Sequence, residues 1–176
     1  MSALPRRPRL TLVQGQAEAP ATWSWFCGHC AAPSPGGEAP FPTARVCRSC
    51  GLGLLLETPA DAVPSSRDAF LVIDSSLLVQ AMSRTAESLL AVTEDLAINR
   101  SVTELLVAAD AEGRSESRFA GAVAQAAGGN QSPTHVFVRP WNTFGVRMRV
   151  RIAPCGPPRA ALLVLEQPAR LRSLDR

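Results

Sequence analysis

The sequence predicts an α+β protein: strands and helices packed in one domain, preceded by a small cysteine-bearing module. Three observations predict it. Four of the five cysteines fall within residues 22–58, as two Cys-x-x-Cys pairs. From Asp68 onward, apolar runs of strand length alternate with turns and with apolar residues at helical spacing. Between Phe144 and Ala153, Val146, Met148, Val150 and Ile152 alternate with Arg147, Arg149 and Arg151, the pattern of a half-buried antiparallel strand.

The chain has 176 residues, 46% of them hydrophobic, which suits one small module plus one domain of about 100 residues. Its 18 basic and 15 acidic residues leave a formal charge of +3, too slight an excess to argue for a nucleic-acid partner. No run approaches the roughly 18 consecutive apolar residues of a membrane span. Leu10–Val13, after Arg6, Arg7 and Arg9, is too short for the apolar centre of a signal peptide. The expected location is therefore the cytoplasm, where clustered cysteines are metal ligands more often than disulfides.

In chain order, residues 1–21 read as a flexible tail, rich in proline and arginine. Residues 22–58 form the cysteine module, and residues 59–67 a linker whose Pro59 and Pro64 oppose both helix and strand. Ala69–Ile73 and Leu77–Ala81 are strands joined by the turn Asp74-Ser75-Ser76. Ser83 offers a cap to a helix whose apolar face is Ala86, Leu89 and Leu90. A second short helix follows Thr93, with Glu94 and Asp95 at its positive end. Ser101 and Glu104 have capping-box spacing and open a helix ending near Leu106. A longer helix over 115–127 carries Phe119, Ala122, Val123 and Ala126 on one face and stops at Gly128-Gly129. Strands over 134–139, 144–153 and 160–167 close the domain, set at 68–168, and 169–176 is a second tail.

The cysteines carry the chemistry. Cys27-Gly28-His29-Cys30 is followed by sixteen residues and then Cys47-Arg48-Ser49-Cys50-Gly51. Each short loop lets two thiolates converge, and the spacing is that of paired zinc knuckles. Four thiolates satisfy tetrahedral Zn²⁺ and leave no open position for substrate. Cys27, Cys30, Cys47 and Cys50 are thus the expected ligands of one structural zinc in a zinc ribbon, with iron in a rubredoxin-like site as the alternative. The metal would supply folding energy to a fragment too small to bury a core. His29 reads as a solvent-facing loop residue, since four thiolates already complete the shell. Trp23, Trp25 and Phe26 read as a cover for the metal or a docking surface, with base stacking as the sharper alternative. Cys155, in a Pro/Gly turn, reads as an exposed and unremarkable thiol.

The text Phe70-Leu71-Val72-Ile73-Asp74, then Val79 to Leu90, then Asn99 to Leu106, resembles the PAS domain family over about residues 68–167. The family shows an apolar strand ending in Asp, an Asn-led A-E-x-L-L-G helix, and a G-R-x-hydrophobic-x-E-L-L segment. Here Ser83 stands where Asn is usual and Ala91 where Gly is usual. The resemblance implies a five-stranded antiparallel sheet with helices on one face, and a sensory or protein-interaction role, often as a homodimer. Family members bind haem, flavin or small metabolites between sheet and helices. No Asn-Cys-Arg-Phe-Leu motif is present, and 115–127 has no histidine, so neither flavin nor haem is expected.

No paired carboxylates, Ser/His/Asp set or phosphate-binding glycine loop stands out, and with two histidines an enzyme is not expected. The favoured reading is a sensory or adapter protein whose PAS-like domain recognises a protein partner or small ligand, with the ribbon as clip or second surface. The alternative is a nucleic-acid-associated regulator, with Arg147, Arg149 and Arg151 reaching phosphates.

Overall fold

The computed structural model describes residues 22–35, 38–109, 113–129, 133–143 and 145–166, and the side chains of 113–117 are not among what it describes. The predicted tails at 1–21 and 169–176 lie outside these residues.

The first of the described elements form a two-stranded antiparallel ribbon, β1 (Trp23–Cys27) against β2 (Leu55–Pro59). The segment read as a linker carries a 3-10 turn, Ala60–Ala62, with Ala62 buried. There follow β3 (Ala69–Ile73), β4 (Val79–Met82), α1 (Arg84–Leu90), α2 (Glu94–Ala97), α3 (Val102–Leu105), β5 (Leu106–Ala108), α4 (Gly113–Ala127), β6 (Thr134–Pro140), β7 (Met148–Cys155) and β8 (Ala160–Glu166).

The second sheet has six strands, not the expected five, in the order β4-β3-β8-β7-β6-β5, every neighbouring pair antiparallel. The extra strand is β5. Leu106 was expected to end a helix, but the chain leaves α3 directly into extended backbone and pairs Leu106–Ala108 with Val138–Pro140. Three apolar residues are too few to show a strand period in sequence. The strand expected from Phe144 begins at Met148. Val146 precedes it and is partly exposed, and position 144 lies outside the described residues.

Caps account for the short helices. Ser83 Oγ accepts the Ala86 N–H at 3.2 Å, as predicted, accepts the Phe70 N–H at 3.0 Å and donates to the Asp68 carbonyl. It therefore knots α1 to β3 as well as capping it, and serine serves where the family usually has asparagine. Ala91 closes α1 in the left-handed region, φ 51° and ψ 42°. Ser101 Oγ accepts the Thr103 N–H, but Glu104 turns to Arg100 (3.1 Å) rather than closing the predicted capping box.

Over β3 and β8 both faces of the sheet are covered. On the inner face Leu71, Ile73, Val150, Ile152, Leu163 and Leu165 pack with Ala86, Leu105, Phe119 and Val123 from the helices and their termini. On the outer face Phe70 and Val72 of β3, Leu162 and Val164 of β8, and Cys155 pack with Phe26 and Leu56 of the ribbon. This double burial explains why β3 is apolar at every position instead of alternating. Among the described residues no helix is long and apolar enough to cross a membrane.

Candidate metal centre and its seam with the sheet

Each cysteine knuckle is built by backbone hydrogen bonds that curl the chain around a sulfur. Cys27 ends β1; its N–H donates to the Ala32 carbonyl and its carbonyl accepts the Ala31 N–H. In the second knuckle the Gly51 N–H donates to the Cys47 carbonyl, and Gly51 sits at φ +70°, a region glycine enters cheaply. Cys47 N–H closes the second loop on Gly53 C=O at 2.8 Å, and Gly28 N–H to Leu54 C=O at 2.9 Å joins the first loop to it.

The result gathers the sulfurs of Cys27, Cys30, Cys47 and Cys50 within 4.8 Å of one another. Cys27 and Cys50 are 3.7 Å apart, Cys30 and Cys47 3.8 Å. Four ligands about 2.3 Å from one tetrahedral centre would be separated by about 3.8 Å, so the arrangement fits an ion of that kind. Backbone N–H groups face the sulfurs: His29 N and Cys30 N lie 3.4 and 3.5 Å from Cys27 Sγ, and Gly53 N lies 3.5 Å from Cys50 Sγ.

The thiols differ in how readily they ionise. Burial pushes the Cys27 thiol far up and raises Cys30 as well. Burial also opposes ionisation at Cys50, but the N–H groups of Gly53 and Leu52 and the neighbouring thiols outweigh it and bring Cys50 down to about 6. Crowded thiols of this sort ionise together only when a cation neutralises them.

Gly53 was not singled out from the sequence, yet the centre depends on it. A β-carbon there would lie 2.4 Å from Cys27 Sγ and 2.7 Å from His29 Cβ. Its only signal was the Gly-Leu-Gly that follows Cys50.

His29 does not face solvent as expected. Its Nδ1 lies 3.1 Å from Glu94 Oε2, and the other oxygen of Glu94 accepts the Met82 N–H at 2.9 Å. The first knuckle is thereby tied to α2 and β4. The aromatic residues of β1 divide by face. Trp25 packs beside Cys27, Cys47 and Leu55, with the Arg45 guanidinium 5.9 Å from its ring centre, while Trp23 is partly exposed. Phe26 points the other way, fully buried, its ring edge-on to Phe70 at 6.3 Å and 76°.

Further bonds seal the seam. Glu57 and Gly156 exchange two backbone hydrogen bonds, Thr58 Oγ1 donates to the Pro154 carbonyl at 2.9 Å, and Arg45 donates to the carbonyls of Leu55 and Pro157. Cys155 is not exposed in a turn. It is the last residue of β7, buried under the ribbon, and burial pushes its thiol up to about 12. The arginine row is engaged: Arg147 stacks on Phe137 at 4.0 Å, Arg149 lies 3.7 Å from Glu166, and Arg151 donates to the Asp61 carbonyl.

Strand pairs β3–β4 and β6–β7–β8 form one antiparallel sheet, with the intervening helices on its inner face and the cysteine module on its outer one. This is an α+β fold built on a six-stranded antiparallel sheet. Three solved structures are similar to it. The PAS domain of nitrogen regulation protein NR(II) from Vibrio parahaemolyticus matches with 15% identity and a TM-score of 0.42, over 57% of this chain and 89% of that one. The photoactive yellow protein domain of the sensor histidine kinase Ppr from Rhodospirillum centenum matches with 14% identity and a TM-score of 0.40, over 57% and 85%. The E. coli DhaR(N)-DhaL complex matches with 15% identity and a TM-score of 0.40, over 58% of this chain but only 32% of that one. No protein-family model and no curated protein sequence matches the chain. In this chain the ribbon covers the outer face over β3 and β8, and Arg151 of β7 reaches the Asp61 carbonyl in the turn that follows it.

Proposed function

We propose that this chain is a sensory or adapter protein in which the PAS-like domain recognises a protein partner or small ligand and the ribbon carries one structural Zn²⁺ on Cys27, Cys30, Cys47 and Cys50. The observation that carries the metal reading is the set of four sulfurs within 4.8 Å of one another, with Cys27 and Cys47 buried and backbone N–H groups facing the sulfurs of Cys27 and Cys50. Four protein thiolates close the coordination shell, so the metal's role is structural rather than catalytic. The sensory part of the reading is supported by the PAS-like sheet and by the way the ribbon is fused to it. Phe26, Leu56 and Thr58 bind the sheet directly, so the metal holds a clip over β3 and β8.

Native mass spectrometry of reduced protein, purified from its own host, tests this in one measurement. The expected mass includes one zinc ion, and the same spectrum gives the oligomeric state and any retained small molecule. Chelator should remove the metal and loosen the ribbon. Reduced protein that carries no metal and whose fold ignores chelator overturns the reading; iron in place of zinc replaces the ion but keeps the centre.

A further inference from the structure

A cleft of about 530 Å³ opens where the ribbon meets the outer face of the sheet. Its floor lies on the outer face of the sheet, with Glu94 at the start of α2 reaching its edge, and so outside the space between sheet and helices that the PAS resemblance points to for ligands. Its volume is within the range of about 300–1,000 Å³ usual for small-molecule sites. Its floor is apolar: Val72, Ala81 and Ala160 from the sheet, Leu56 from the ribbon.

The charged groups in the lining are the informative part. Asp74 follows β3 and Arg159 precedes β8; the register pairs Ile73 with Ala161, so both sit at the same end of neighbouring strands. They do not pair with each other. The Asp74 carboxylate is fixed by the N–H groups of Ser76 (2.8 Å) and Leu78 (2.9 Å) and by Gln80 Nε2 (2.9 Å). Arg159 is exposed and, among the described residues, makes no ion pair or hydrogen bond. Glu94, already spoken for by His29 and Met82, adds negative charge at the far corner. A purely anionic ligand would meet Asp74 and Glu94, and a purely cationic one would leave Arg159 unused. A ligand carrying both charges on an apolar body satisfies all three surfaces.

We propose that this seam binds a small zwitterion with an apolar side chain, the chemical class of the free amino acids. Its carboxylate is taken by Arg159, its ammonium by Asp74, and its side chain by the floor of Leu56, Val72 and Ala81. This deepens the small-ligand reading above and rests on it. Gly28, His29 and Gly53 of the knuckles form one wall, so the cleft adjoins the cysteine cluster.

The test is an amide-shift titration of isotope-labelled full chain, its zinc content measured first, with L-leucine, L-phenylalanine, isocaproate and isoamylamine. Expected are saturable shifts at Gly53, Ala81 and Ala160 with at least one amino acid. Binding should be at least about tenfold weaker for the carboxylate-only and amine-only analogues and for Arg159→Ala. Arg159 is exposed, so that variant keeps its fold; Ala81→Leu fills the floor and should abolish binding. Either analogue binding as well as leucine, an Arg159→Ala protein binding unchanged, or no saturable shift with either amino acid overturns the proposal. Zinc-free protein overturns the metal reading, whereas zinc-loaded protein indifferent to both amino acids overturns the ligand site alone.

Discussion

His29 Nδ1 stands 3.1 Å from Glu94 Oε2, joining the first cysteine knuckle to the start of α2 across 65 positions of sequence. The same carboxylate accepts the Met82 N–H, and the Glu94 N–H in turn donates to Glu87. One side chain thus joins ribbon, edge strand and helix. Glu94→Ala removes both contacts and should cost about 1–3 kcal/mol in urea unfolding of the zinc-loaded protein. Glu94→Gln keeps an oxygen for Met82 and should cost less than half as much. Equal losses for the two variants would place the weight on charge rather than on the hydrogen bond to β4.

Gly53 is the position where a single methyl group reaches the cysteine cluster. Its absent β-carbon would fall 2.4 Å from Cys27 Sγ. Gly53→Ala should lower zinc affinity by at least about tenfold in a chelator competition, because the sulfur or the loop must move. Gly51→Ala is the contrast. No atom lies within 4 Å of its β-carbon, so the variant should lose about 1 kcal/mol of stability to backbone strain while keeping one zinc per chain.

Phe26 holds the ribbon to the sheet. It is fully buried, edge-on to Phe70 and among Leu56, Leu162 and Val164. Phe26→Ala should cost about 3–5 kcal/mol, measured by denaturant unfolding. Protease should then cut first within residues 38–54, since the clip would have lost its anchor while the inner-face core is untouched.

Cys155 gives a pH prediction. Burial pushes its thiol up to about 12, against the ordinary 9.0. The unfolded chain therefore releases this proton first as pH rises. Its contribution to stability is whole below about pH 9 and is lost progressively between pH 9 and pH 12. Thiol reagent at pH 8 should leave Cys155 unmodified in native protein and modify it only after unfolding, read by peptide mass. Cys155→Ala should flatten the alkaline slope of stability.

Ala91 ends α1 in the left-handed region at φ 51°, where a side chain is disfavoured by about 1–2 kcal/mol. It is exposed, so nothing in the core needs its methyl group. Ala91→Gly should therefore raise stability, by about 0.5–1 kcal/mol after the added flexibility of the unfolded chain is counted. Thermal unfolding of the two proteins side by side measures it.

Much of the molecule was legible from local chemistry. The Cys-x-x-Cys spacing placed all four sulfurs, because each knuckle is a short-range turn and the pairs need only meet. Ser83 as a cap, the start of β3 and the alternation of β7 were likewise legible, since caps and strand periods are written in neighbouring residues. β5 was not, because three apolar residues have no period, and its strand character comes from pairing with β6.

By itself, the sequence determined which four cysteines meet, the strands and helices after Asp68 apart from β5, and the caps at Ser83 and Ser101, all of them matters of contacts a few residues apart. Only the tertiary structure decided that the ribbon lies on the outer face of the sheet, that His29 turns to Glu94, that Cys155 is buried and that a cleft with unpaired opposite charges lies at the seam. Those facts depend on pairs such as Phe26 with Phe70 and Glu57 with Gly156, whose members are far apart along the chain. The unbroken apolar run of β3 carried a trace of the docking, since a strand covered on one face only would have alternated. A strand's own residues can demand two covered faces, but nothing in them names what covers the second one.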